Sequence, residues 1–348
     1  MNKTTPLLEV KINSLFIRQR WVMVSILGGM LFLSPPSALA AEMPEKGTLS
    51  LVLENDLFYN ADNHYTNGVR AAWLSAPGGT QDWALRMARR FPLFPVNGIV
   101  RTSYAVGQNM YTPEDIDLRD PPLEDRPYGG WLYGSVGLIA ETGQRLDQLE
   151  LTVGVVGPAS LAEQTQKRVH ELVNSDEPHG WDTQLKNELG VILSYSRSWR
   201  SLVAKSLLGV PFDLTPHAGG ALGNVFTYAN AGVMLRYGKD LPLDYGPPRI
   251  QPSVPGSGFF IPQHGFGWYL FSGIEGRVVA RNIFLDGNTF RDSRSVDKEP
   301  LVGDLQFGIV ITWRDLRLSY THVLRTREFK SQGDRRDDFG ALSLSVQF

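Results

Sequence analysis

Residues 305–320 read LQFGIVITWRDLRLSY, and residues 342–348 read LSLSVQF. Leu305, Phe307, Ile309, Ile311 and Trp313 alternate with Gln306, Gly308, Val310 and Thr312. Leu316, Leu318 and Tyr320 then alternate with Arg317, Ser319 and Thr321, and Leu342, Leu344, Val346 and Phe348 with Ser343, Ser345 and Gln347. A period of two puts successive side chains on opposite faces of a strand, so each segment has one apolar face and one small or polar face. The same period runs through Leu49-Leu51-Leu53, Leu149 to Val155 and Leu189 to Tyr195.

What covers the apolar faces decides the class. A soluble sandwich hides them against a second sheet, whereas a transmembrane barrel shows them to lipid and keeps polar residues inside. The segments run about 9–12 residues, enough to cross a bilayer when tilted. Tyr65, Trp73, Tyr111, Trp131, Tyr133, Trp199, Trp268, Tyr269 and Trp313 sit near segment ends, as interfacial aromatic girdles do. The terminal Phe348 on an alternating segment resembles the C-terminal signature of bacterial outer-membrane barrels. We therefore expect an all-β chain folded as a transmembrane antiparallel barrel of about 12 strands. Strands are expected to start near 47, 65, 101, 129, 146, 185, 210, 225, 265, 302, 314 and 338. An even count puts both termini on the periplasmic side. Pro113 to Pro127 and Pro242 to Pro262 read as loops.

Composition fits this class. The 348 residues contain 34 basic and 36 acidic side chains and no cysteine. The near-neutral balance gives no sign of nucleic-acid binding, and thiolate metal sites and a cysteine nucleophile are excluded. Trp21 to Leu33 is apolar, follows Lys3, Lys11, Arg18 and Arg20, and precedes Ala38-Leu39-Ala40. That is the pattern of an export signal, so residues 1–40 are expected to be a signal peptide and 41–348 the barrel.

Pro158 to Val173 breaks the strand period. Leu161, Thr165, Val169 and Leu172 make one helical stripe, and Gln166 and His170 lie four apart on a neighbouring face. A second departure is the polar cluster of Asn55 and Asp56 ending the first strand, with Thr66 and Asn67 opening the next. Carboxylate, amide and carbonyl oxygens suit Ca²⁺, although a polar turn with a solvated rim would look the same. Arg126, in Glu124-Asp125-Arg126-Pro127, is suited either to a lipid phosphate or to pairing with Asp125. Of six histidines, only His170 falls on the expected helix. Imidazole is the usual general base near neutral pH, and no G-x-S-x-G elbow is present.

ENDLF at 54–58, HYTNG at 64–68, QNMYTP at 108–113, DRPYGGWLYG at 125–134, VGPAS at 156–160 and GWDTQLKNE at 180–188 resemble the lipid A 3′-O-deacylase family of outer-membrane proteins. The resemblance implies a 12-stranded barrel with a calcium-dependent esterase site between the barrel wall and a helix. It further implies that Asp56 and Thr66 are calcium ligands and that Asn55 binds the ester carbonyl. By the same resemblance His170 deprotonates the attacking water, and an acidic residue corresponds to Asp176, with Glu171 and Glu177 as rivals. Asn67, Gln166 and Arg126 are carried as substrate-binding candidates, and Arg119 as a further cation for a lipid A phosphate. The expected partners are lipid A and outer-membrane lipid, acted on by a monomer. A porin or structural barrel and a phospholipid esterase are the alternatives.

Overall fold

The structure, a computed structural model, describes residues 46–55, 65–95, 97–173, 177–250, 258–262, 265–333 and 337–348. It is a closed antiparallel barrel. Its strand segments are β1 (Thr48–Asn55), β2 (Tyr65–Leu74), β3 (Ile99–Tyr111), β4 (Gly129–Thr142), β5 (Arg145–Val156), β6 (Glu188–Trp199), β7 (Val203–Leu207), β8 (Val210–Gly223), β9 (Phe226–Lys239), β10 (Phe266–Asn282), β11 (Leu301–Trp313), β12 (Leu316–Arg325) and β13 (Asp337–Gln347). Every segment pairs with the next in sequence except β6 with β7, β1 pairs with β13, and β6 pairs with β8. The short β7 continues β6 along the same partner: Ser198 pairs with His217, and Val203 with Leu214. The thirteen segments therefore make twelve staves. Every one of the twelve expected starts has a counterpart, including those at 210 and 225 that prolines and glycines obscure.

The period of two sorts the faces as expected. Leu49, Leu51 and Leu53 are exposed on the outer wall, while Thr48, Ser50 and Glu54 are buried inside. The aromatic girdle is partly corrected. Trp73, Trp199 and Trp313 face outward, all at the periplasmic end, whereas Tyr111, Trp131, Tyr133 and Tyr269 are buried within the barrel. An aromatic beside glycines or at a strand end reveals its location along the stave but not its phase. Tyr111, Trp131 and Tyr133 join Phe226, Ile283 and Phe284 in an apolar cluster at the extracellular end of the lumen, whereas Tyr269 packs with Met234, Phe271 and Val310.

The lumen is filled from the periplasmic end as well. Within the stretch expected as a loop, Pro242 to Pro262, the described residues 242–250 and 258–262 turn inward between β9 and β10. Asp244 accepts from Arg236, from Arg317 at 3.1 Å and from Tyr269 at 2.9 Å. Arg249 reaches Glu54 at 2.6 Å, and Tyr245, Phe259 and Ile261 pack on Leu74, Ile139 and Leu146. Other charges of the lining pair with one another, as in Arg70–Glu150 at 3.0 Å and Arg277–Asp304 at 2.8 Å. Buried charges need such partners in a low-dielectric interior.

Among the described residues three α-helices lie outside the sheet: α1 (Asp82–Ala88), α2 (Ala162–Val173) and α3 (Ile283–Asp286). Only α2 was expected. A 3₁₀ turn at Pro158–Ser160 precedes it. Gly157 holds φ +91°, and a Cβ there would lie 2.6 Å from the Lys186 carbonyl carbon, so only glycine fits this entry to the helix.

Candidate active site

The site residues are placed by strand register. Asn55 pairs with Asn67, Asn67 with Met110, and Met110 with Gly130, one row across β1, β2, β3 and β4. The row follows Leu53 and Val69 on the outward face. An outward residue on this barrel is normally exposed, yet Asn55, Asn67 and Met110 are buried.

α2 packs on the same face. Gly130 marks the contact: a Cβ built there would lie 2.2 Å from the Ala162 Cβ and from Ser160 Oγ. Gln108 of β3 donates from Nε2 to the Ser160 carbonyl at 2.6 Å. Gly157 donates to the Gly130 carbonyl at 3.0 Å, and Asn187 Oδ1 accepts from the Ala159 amide at 2.7 Å. Met110, Ile116, Tyr128, Ala162 and Trp181 form the apolar cluster behind the helix.

The face that α2 buries consists of Ala162, Gln166 and His170, spaced by four. Leu161, from the apolar stripe, is exposed instead. The polarity is inverted relative to a soluble protein because the surrounding medium at a barrel's outer wall is hydrocarbon. Gln166 Oε1 accepts from Trp181 Nε1 at 2.7 Å, and Gln166 Nε2 is buried with no hydrogen-bond partner among the described residues. Asn67 Oδ1 is likewise buried and without a donor among the described residues. Leaving such a group unsatisfied costs ~1–3 kcal/mol, which a bound ligand or ion recovers.

Asp56 and Asp176 lie outside the described residues. Of Thr66 the backbone is described: the β2–β3 register shifts between Tyr65 and Asn67, so Thr66 falls at a bulge, a feature that re-aims side chains beside functional sites. Glu171 is exposed beside Arg168, and Glu177 is exposed near Lys167. Arg119 is exposed on the β3–β4 connection.

Arg126 is not on the lipid-facing side. Its guanidinium is enclosed, paired with Glu328 at 2.6 Å and stacked over Tyr111 and Phe329. Asp125 accepts from the Arg126 backbone amide at 2.6 Å and from the Glu114 backbone amide at 2.8 Å. Of the two roles the sequence left open, the structure has the pairing, with Glu328 as partner. An adjacent proline-flanked arginine gives no sign that its carboxylate lies 202 positions away. Trp181, which orients Gln166, was quoted within GWDTQ but given no role; the signal for it is Gly180, where a Cβ would strike Tyr128 at 2.4 Å.

Residues 25–348 match the family described as outer membrane protein LpxR. The chain belongs to the LpxR family. This LpxR-family protein is thus a Gram-negative outer-membrane barrel. The solved structure of LpxR from Salmonella typhimurium matches with a TM-score of 0.68 at 19% identity, covering 86% of this chain and 100% of that one. That likeness bears on the fold. The translocator domain of autotransporter NalP from Neisseria meningitidis matches at 0.37 and 8% identity, over 87% and 88% of the two chains, too distant to bear on the site. No curated protein matches this chain.

Calcium takes carboxylate, amide and hydroxyl or carbonyl oxygens. Asn67 Oδ1, buried without a donor among the described residues beside Asn55 and the bulge at Thr66, is an oxygen of that kind and fits the ion.

Proposed function

We propose that this protein is a calcium-dependent ester hydrolase that removes the 3′-linked acyloxyacyl chain of lipid A, with His170 activating water. One observation carries this reading: buried amides and an imidazole stand between α2 and an outer wall that is apolar and lipid-exposed at the neighbouring Leu51, Leu53 and Val69. Polar groups at that position are costly unless a ligand uses them.

Asp56 and Thr66, with Asn67 Oδ1 within the same row, would hold the calcium ion. When bound, it would supply positive charge for the ester carbonyl oxygen. His170 takes a proton from water, which then attacks the ester carbonyl carbon, and gives a proton to the departing alkoxide. Asn55 donates its amide to the carbonyl oxygen. Gln166, its Oε1 held by Trp181, offers Nε2 to the substrate. The acyl chains stay in hydrocarbon along the outer wall.

The test is mass spectrometry of lipid A from cells carrying the wild type, His170→Ala or Asp56→Ala. The wild type is expected to lose the 3′ acyloxyacyl mass in a calcium-dependent way. Both variants should leave lipid A intact while keeping heat-modifiable gel mobility. Unchanged lipid A with the wild type, or full activity in both variants, overturns the assignment. Free fatty acid released from glycerophospholipid instead would identify a phospholipid esterase.

A further inference from the structure

The connection from β2 to β3 holds the unexpected helix α1, in the sequence QDWALRMARRFPLF at 81–94. It lies at the end of the barrel where Thr48 pairs with Leu74, the periplasmic end. Its buried residues, Ala84, Ala88 and Phe94, pack on Leu138 and Ala140 of β4, with Val100, Leu149 and Tyr195 alongside. By register, Leu138 and Leu149 are partners on the outward face, and Tyr195 follows Leu149 there. The helix therefore lies against the outer wall rather than beneath the barrel mouth.

The segment is clamped. The Leu93 carbonyl accepts from Tyr195 Oη at 3.1 Å and from Arg197 Nη2 at 2.8 Å. Both side chains also bind Asp147, at 2.6 Å each, so a fully buried carboxylate fixes the wall beneath.

What the clamped helix shows outward is two-sided. Trp83 is 47% exposed, Met87 59% and Leu93 55%. Arg86, Arg89 and Arg90 are exposed, and none forms an ion pair with a described residue. An interfacial helix has this composition: an aromatic and aliphatic edge to enter the acyl boundary, and cations to meet phosphates. The level is right, because Trp73, Trp199 and Trp313 face lipid at the same end of the barrel.

We propose that α1 and its following arm form a docking collar for the periplasmic leaflet. In it Trp83, Met87 and Leu93 enter the acyl boundary, and Arg86, Arg89 and Arg90 bind the phosphates of anionic glycerophospholipids. Charge complementarity and continuity with the aromatic girdle select this occupant. The collar is at the opposite end from α2 and is independent of the deacylase assignment.

The absence of cysteine makes the test direct, because Met87→Cys creates a single labelling site. The full chain, labelled there with a polarity-sensitive fluorophore, is reconstituted into phosphatidylcholine vesicles containing brominated phosphatidylglycerol or brominated phosphatidylcholine at equal fraction. Quenching is expected in both, and brominated phosphatidylglycerol is expected to be enriched several-fold beside the probe. Each arginine near the surface contributes about fivefold. The Arg86→Gln/Arg89→Gln/Arg90→Gln variant should quench equally with the two lipids while retaining heat-modifiable mobility. A water-like emission that neither lipid quenches overturns the proposal and points to an acidic soluble partner. Equal quenching by the two lipids in the unsubstituted background, or loss of the preference in inorganic phosphate at low millimolar concentration, also overturns it.

Discussion

Gln166 accepts from Trp181 through Oε1 while its Nε2 finds no partner among the described residues. Trp181 thus fixes which way the amide points, and a hydrogen bond of this kind contributes about 1 kcal/mol. Trp181→Phe removes the donor while keeping a large ring against Tyr128, whose centroid lies 4.9 Å away. We expect about a fivefold loss of deacylation, since ~1.4 kcal/mol is one decade, with heat-modifiable mobility unchanged. Activity equal to wild type would show that Gln166 needs no orienting partner. Among the candidate residues, Asn55 and Asn67 stand out in sequence because they are polar where the strand pattern calls for apolar groups, whereas Gln166 and His170 show only as a polar pair beside the apolar stripe of the helix. Arg126 was not legible. Its partner, Glu328, arrives from a loop with no local sequence signal, and an arginine near a barrel rim suits a headgroup or an internal pair equally.

Among the elements, the staves were legible and the additions to them were not. Period-two patterning counts strands because each alternation is local. The collar helix was hidden because QDWALRMARRFPLF scatters three arginines among its apolar residues. For α2 the apolar stripe was visible, but which face it buries depends on the medium outside the barrel. The Arg126–Glu328 pair ties the β3–β4 loop to the β12–β13 loop across the extracellular end. Burial raises the Glu328 carboxyl, but the Arg126 and Arg325 charges outweigh it and hold the group below its ordinary value. A carboxylate depressed in the folded state contributes stability that is fully present above its unfolded pKa, here the ordinary 4.5, and is lost as pH falls through the lower folded value. Wild type should therefore unfold at higher temperature than Glu328→Gln at pH 7, and the gap should shrink as pH drops below about 4.5. A gap independent of pH between 7 and 3 would contradict the charged pairing.

At the scale of the whole molecule, the barrel is a lipid-facing shell around a polar interior that is filled rather than open. Asp244 anchors that filling by accepting from Arg236, Arg317 and Tyr269. Removing one partner of a buried ion pair costs ~3–5 kcal/mol because the remaining charges are stranded. Asp244→Ala is expected to lower the temperature at which the heat-modifiable form is lost, and to admit small-ion conductance in planar bilayers. An unchanged transition temperature would mean that the two arginines find other acceptors. The inward segment was missed from sequence because prolines and glycines at 242–262 mark irregular backbone without saying which side of the wall it occupies.

That inward segment also bears on how the barrel closes during assembly. It leaves the chain between β9 and β10, yet its contacts are distributed over strands made first and last. Arg249 takes Glu54 of β1, Asp244 takes Arg317 of β12, and the Phe260 carbonyl accepts from Gln347 of β13 at 2.5 Å. β1 and β13 are the two strands whose pairing closes the ring. A sheet whose first and last strands have not yet met offers the segment only part of its acceptors and donors. The seam and its internal latch consequently form in one cooperative step, and weakening the latch should slow ring closure as well as loosen the finished barrel.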